Sequence, residues 1–162
     1  RKRRQMTQLA RHQGKEALCI NIIDERTSLV VGRKRLSASS ATNLVKAAAV
    51  SMMEQPVKIM SSCDRCPSIF IKKAYINHYA DSMAANVVLA TDVNEHGGLY
   101  RGNLVKINWF SSSSEFESIL AKSTLKAIKK ISREPHVYDA IKASTCSMNA
   151  PEMDTSKIER NK

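Results

Sequence analysis

Cys63 and Cys66 stand two residues apart in PVKIMSSCDRCPSIFIKKAYINH, residues 56–78, a spacing that suits either a metal knuckle or a dithiol–disulfide pair. Zinc in a structural site takes four soft or imidazole ligands. The second half would have to come from His78, His96 or Cys146, which share no second knuckle, so Cys63 and Cys66 make half a metal site and no metal is expected. Redox exchange takes a thiolate of lowered pKa, commonly at a helix N-terminus. Cys63 lies just ahead of Pro67, where a helix is expected to open, but Asp64 and Arg65 occupy the middle positions usually held by small residues or proline. The plain reading is two ordinary cysteines in a turn. The four histidines form no triad and no i, i+4 pair with a carboxylate, and neither a Gly-rich phosphate loop nor an H-E-x-x-H is present. No catalytic residue, cofactor or small-molecule substrate is expected.

The elements around the cysteines are legible to different degrees. Residues 17–24, ALCINIID, put Leu18, Ile20 and Ile22 on one face and Cys19, Asn21 and Ile23 on the other, the alternation of a strand. Residues 29–31 suggest a short second strand, ended by Gly32 and the cluster Arg33, Lys34, Arg35. Ser39 and Ser40 can cap a helix over 41–54, with Leu44, Val45, Ala48, Ala49, Met52 and Met53 on one half and Pro56 as its stop. Val57 to Met60 then reads as a strand, and the segment from Pro67 to Ala84 or Ala85 as a helix with Lys72 and Lys73 adjacent on its surface. Residues 86–91 and 104–110 read as strands. Ser112-x-x-Glu115 and Ser114-x-x-Glu117 both fit a capping box, and the helix behind them sets Phe116, Leu120, Ala127 and Ile131 opposite Lys122, Lys126, Lys129 and Lys130. Pro135 is expected to break that helix, with one more turn or strand in HVYDAIKAS and an unpatterned tail from Cys146.

Charge narrows the partner. The 162 residues carry 26 Lys and Arg against 15 Asp and Glu, a formal +11, which favours a polyanion, nucleic acid first and an acidic membrane surface second. No run approaches the ~20 apolar residues of a membrane span. Residues 1–16 hold Arg1, Lys2, Arg3, Arg4, Arg11 and Lys15 against one acid, Glu16, and read as a basic arm. Arg1 to Arg4, Arg11, Arg33, Lys34, Arg35, Lys72 and Lys73 are the candidate phosphate contacts, since guanidinium forks and ammonium groups suit phosphate oxygens. Four cysteines are too few and too unevenly spaced for a disulfide framework, which points to a reducing compartment. The start at Arg1 instead of methionine fits a processed precursor or a trimmed chain.

Strand, helix, strand, Cys turn, helix and strand in this order resemble the thioredoxin fold. More narrowly, CINII followed by SASSATNLVKAA, then PVKIM and CPSIFIKKAYIN with Pro67, Tyr75 and Asn77, resembles the thioredoxin-like family shared by certain mitochondrial ribosomal proteins and an accessory subunit of respiratory complex I. The resemblance covers about residues 17–94. It departs in lacking the glycine of the serine loop, and in the strand expected before the last helix. No proline lies between Pro67 and Pro135 to sit beside an active disulfide, as thioredoxin-type enzymes place one. An RNA-recognition sheet is loosely suggested by Ile69-Phe70-Ile71 and by Arg101-Gly102 before LVKINWF. It is set aside because the second motif lacks stacking aromatics and too few residues remain for the helix between them.

The expectation is therefore an α+β or α/β chain. It comprises a basic arm over 1–16, a thioredoxin-like domain over 17–133 built on a central mixed sheet flanked by helices, and a polar C-terminal extension over 134–162. The resemblance implies a structural, RNA-contacting component of the mitochondrial ribosome, in the matrix, with ribosomal RNA and neighbouring ribosomal proteins as partners. The alternatives are a complex I accessory subunit, a thiol-disulfide oxidoreductase using Cys63 and Cys66, and a generic RNA-binding module.

Overall fold

The computed structural model of the chain describes residues 16–26, 33–35, 37–60, 63–93, 98–107 and 113–148. Strands β1 (Glu16–Asp24), β2 (Arg33–Arg35), β3 (Val57–Met60), β4 (Ser68–His78), β5 (Ser82–Thr91), β6 (Leu99–Ile107) and β7 (Thr145–Ser147) form one sheet, with helices α1 (Ala38–Met53), α2 (Ser113–Ser132) and α3 (Pro135–Ala143). The path across the sheet is β3-β1-β4-β5-β6, with β2 paired to β4 and β7 to β1. β3 and β4 both run parallel to β1, while the β4-β5-β6 meander is antiparallel. The chain is thus α+β, a mixed sheet flanked by helices.

Alternation and helical periodicity place the core. Leu18, Ile20 and Ile22 of β1 are buried with Val45, Ala48, Ala49 and Met53 of α1 and with Ile119, Leu120, Ala127, Ile128 and Ile131 of α2 in one apolar cluster. Each of the Leu, Ile, Val and Met side chains among them contributes about 1.5–3 kcal/mol through removal from water, the alanines less. The helix expected over 41–54 is α1, capped by Ser37 instead of Ser39 or Ser40, its hydroxyl accepting from the Ser40 N–H at 3.2 Å. It ends at Glu54 in the left-handed region, φ 54°, ahead of Pro56. In α2 the expected division also holds: Leu120, Ala127 and Ile131 are buried, Phe116 is half-buried, and Lys122, Lys126, Lys129 and Lys130 are exposed. The helix lies so close on the sheet that a Cβ on Gly102 of β6 would fall 1.8 Å from the Ser123 carbonyl oxygen, so only glycine fits beneath it.

The segment after the cysteines differs from expectation. No helix follows Pro67: the chain enters β4, turns at residues 79–81 with the Tyr79 N–H on the Ser82 carbonyl at 2.9 Å, and returns as β5. The helix that a thioredoxin-like order requires at this point is absent. Ile69, Ile71, Ala74 and Ile76 face the core, and a β-bulge between Ile71 and Lys73 leaves Lys72 and Lys73 both on the opposite face. The extra residue breaks the two-residue period, which is why IFIKKAYI imitates a helical surface. Proline at the head of a strand loses no ladder bond, and the Pro67 carbonyl still accepts from the Asn21 N–H at 3.0 Å.

Three further differences concern element ends. The strand expected over 86–91 is the second half of β5, and the one expected over 104–110 begins at Leu99 and is described to Ile107. α2 ends at Ser132, ahead of Pro135 as expected, and the further turn or strand expected in HVYDAIKAS is the helix α3, with Pro135 in its first turn and Val137 and Ile141 buried in the common core. Residues assigned to a polar C-terminal extension therefore complete the fold, because β7 pairs antiparallel with β1, Ala17 opposite Cys146. The short strand expected over 29–31 and residues 1–15 of the arm lie outside the described residues, while Glu16 is the first residue of β1.

Candidate nucleic-acid interface

The parallel triplet β3-β1-β4 fixes the cysteine turn. Asn21 is the register partner of Met60 on one side of β1 and of Ser68 on the other, so β3 and β4 flank β1 at the level of Asn21 and the turn described from Cys63 to Pro67 leads into β4 there. The Asn21 carboxamide grips this turn: its NH2 donates to the Cys63 carbonyl at 2.8 Å and its oxygen accepts from the Cys63 N–H at 3.3 Å. On the far side the Ser68 N–H donates to the Asp92 carboxylate at 2.8 Å. Cys63 and Cys66 are half-buried and joined in a disulfide, Cα to Cα 5.3 Å. Cys19 and Cys146 form a second disulfide, Cα to Cα 5.9 Å. These pairings differ from the expectation that the four cysteines form no disulfide framework; the sheet brings together Cys19 and Cys146 across 127 residues of sequence.

The setting of Cys63 differs from the helix start expected after Pro67. Cys63 leads into a strand, so no helix dipole is available to stabilise a thiolate there. Among the described residues no group of three or more His, Cys, Asp or Glu is placed to hold a metal ion. A shallow hollow beside the turn is lined by Arg65, Cys66, Pro67, Asp92, Val93 and Ala140, without a nucleophile and base in contact. His78 lies against the Phe116 ring, centroids 6.2 Å apart, and serves helix–sheet packing.

The sheet face turned away from α1 and α2 carries the basic side chains. On β4 this face presents Phe70, Lys72, Lys73, Tyr75 and Asn77; across β5, Lys73 is opposite Val88, which is opposite Arg101 of β6. Lys73 and Arg101 thus flank one cross-strand row, both exposed, and no carboxylate among the described residues pairs with either. With strands ~4.8 Å apart, the two positions are separated by about 10 Å. The next row holds Tyr75, Asn86 and Asn103, and the following one Asn77, Ala84 and Val105. Lys72 is engaged, its ammonium in an ion pair with Glu25 and 5.6 Å from the Phe70 ring centroid.

Of the expected contact residues, Lys72 and Lys73 lie on this face, although on a bulged strand. Arg33, Lys34 and Arg35 form β2, which extends the same sheet as register partners of Asn77, Ile76 and Tyr75. Arg1, Lys2, Arg3, Arg4 and Arg11 fall outside the described residues. Arg101 is absent from the expected phosphate contacts, named only with Gly102 in the RNA-recognition pattern set aside above; its signal is the alternation Leu99, Arg101, Asn103, Val105, Ile107 on one side of a strand that begins five residues before the expected Leu104. The α2 lysines face elsewhere, and one of them, Lys126, donates to the backbone carbonyl of Asn103 at 3.3 Å on the edge strand β6, blunting an edge that would otherwise pair with another chain.

No family model matches this chain, and no curated protein matches it. Solved structures do align. A crystal structure described as that of an uncharacterized protein covers 72% of this chain and 88% of its own, at 11% identity and a TM-score of 0.45. A PelC variant dodecamer from Paraburkholderia phytofirmans covers 71% of this chain and 87% of its own, at 16% identity and a TM-score of 0.32. Both scores are too low to assign a shared fold.

Proposed function

We propose that this chain is a non-enzymatic polyanion-binding protein with RNA as its foremost ligand, held on the sheet face opposite α1 and α2 and by the basic arm. The observation that carries this reading is the Lys73–Val88–Arg101 row, two exposed cations on either side of the buried Val88, without carboxylate partners among the described residues, on the face opposite the one that packs against α1 and α2. The formal charge of +11 supports it. Paired cations at fixed spacing attract phosphates regardless of base sequence and release counterions on binding.

A structural component of the mitochondrial ribosome in the matrix, contacting ribosomal RNA and neighbouring ribosomal proteins, is one case of this reading. Basic composition and the arm support it. The thioredoxin-like order that suggested the ribosome or complex I rested on a helix after Pro67, and a strand stands there. Two disulfides also favour an oxidising environment over a reducing one. A thiol-disulfide oxidoreductase keeps only the half-exposed Cys63–Cys66 bond in its favour.

The test is a salt titration of RNA binding by the whole chain. Log affinity should fall linearly with log salt, and Lys73→Ala with Arg101→Ala should reduce that slope by roughly 2. A salt-insensitive affinity, or no binding at low salt, would sink the proposal.

A further inference from the structure

We infer that the sheet face opposite α1 and α2 takes single-stranded nucleic acid, its bases laid on Tyr75 and the apolar residues of β6, its phosphates on Lys73 and Arg101. The inference rests on the polyanion reading and narrows it. A site that served charge alone would need only the cations. This face also holds an aromatic ring and two carboxamides in the row beside them, Tyr75, Asn86 and Asn103, and beyond these lie Val105 and Ile107, each 66% exposed.

The chemistry of that set discriminates between forms of the ligand. Base faces stack on aromatic and apolar side chains, and carboxamides pair with base edges, but both are accessible only where bases are unstacked. A duplex buries its base faces and would meet the cations alone. The sheet geometry matches a strand laid across it: successive rows on one face of a β-strand lie about 7 Å apart, from twice the rise per residue, so cations and ring are adjacent without overlapping. Arg35 of β2 is the backbone register partner of Tyr75. Heparin, a duplex RNA and an unstructured poly-uridine strand separate the possibilities, because all three carry dense negative charge and only the last offers free bases.

The experiment measures fluorescence anisotropy of labelled poly-uridine and of a duplex RNA, with heparin as competitor, for the wild-type chain, Tyr75→Leu and Val105→Ser. Poly-uridine should bind tighter than the duplex. Tyr75→Leu should weaken poly-uridine roughly tenfold while leaving heparin unchanged, and Val105→Ser should weaken poly-uridine alone by a smaller factor. Val105 is exposed enough that its replacement tests the face without disturbing the core. Equal affinity for duplex and single strand, or poly-uridine affinity unmoved in both variants, overturns this inference and leaves the polyanion reading standing. Failure to bind any of the three overturns both.

Discussion

The two disulfides do different mechanical work, one joining strands and the other closing a turn. Cys19–Cys146 spans 127 residues and ties β7, hence the end of α3, to the middle of the sheet; Cys19 is 1% exposed, and its N–H and carbonyl are both bonded to Ser144. Cys63–Cys66 spans three, with both cysteines half-exposed, in a turn already closed by the Cys66 N–H on the Cys63 carbonyl at 3.2 Å and gripped by Asn21. The first holds distant parts of the chain together. The second stiffens a turn that hydrogen bonds define.

Breaking the long link should have the largest effect. Cys146→Ser removes the constraint on a closed loop of more than a hundred residues, and the chain-entropy model assigns such a loop about 4–5 kcal/mol. Urea unfolding under non-reducing conditions reads this directly; a loss below about 1 kcal/mol would mean that β7 pairing, not the disulfide, retains the C-terminal segment. The double replacement of Cys63 and Cys66 by serine should cost about 2 kcal/mol or less by the same relation, because the loop it opens is so short. A loss equal to that of Cys146→Ser would erase the distinction between the two bonds.

Asn21→Ala tests what holds the turn in place. It removes two hydrogen bonds to the Cys63 backbone and should cost about 1–2 kcal/mol, with poly-anion affinity unchanged because Asn21 lies away from the Lys73–Arg101 row. Mass spectrometry after mild dithiol treatment and alkylation provides the finest distinction. Cys63 and Cys66 should be labelled before Cys19 and Cys146, and faster still in Asn21→Ala; labelling of Cys19 first would reverse the assigned roles.

What reached the sequence and what did not follows physical lines. β1, α1 and α2 were legible because an apolar face imposes its period on each: Leu18, Ile20 and Ile22 at two, Leu120, Ala127 and Ile131 at helical spacing; β3, buried at Val57, Lys58 and Ile59 alike, was legible as a short run after Pro56. β4 was not, because the bulge at Lys72 inserts one residue and shifts the phase of Ile69 and Ile71 against Ala74 and Ile76. α3 was hidden by Pro135, which is as compatible with a first turn as with a stop. Lys72 and Lys73 entered the candidate site for their charge, whereas Arg101 entered only once β5 had aligned it with Lys73.

By itself the sequence determined the basic charge, a mixture of strands and helices and most of the residues that must be buried, since these depend on composition and local period. Tertiary structure alone decided three things: that β3 and β4 flank β1 at Asn21, that Cys19 meets Cys146, and that Lys73 and Arg101 share a row. Each depends on which strands are neighbours and in what register. Strand pairing joins residues far apart in the chain through backbone hydrogen bonds that are the same for almost every side chain, so the local sequence carries little record of the partner chosen.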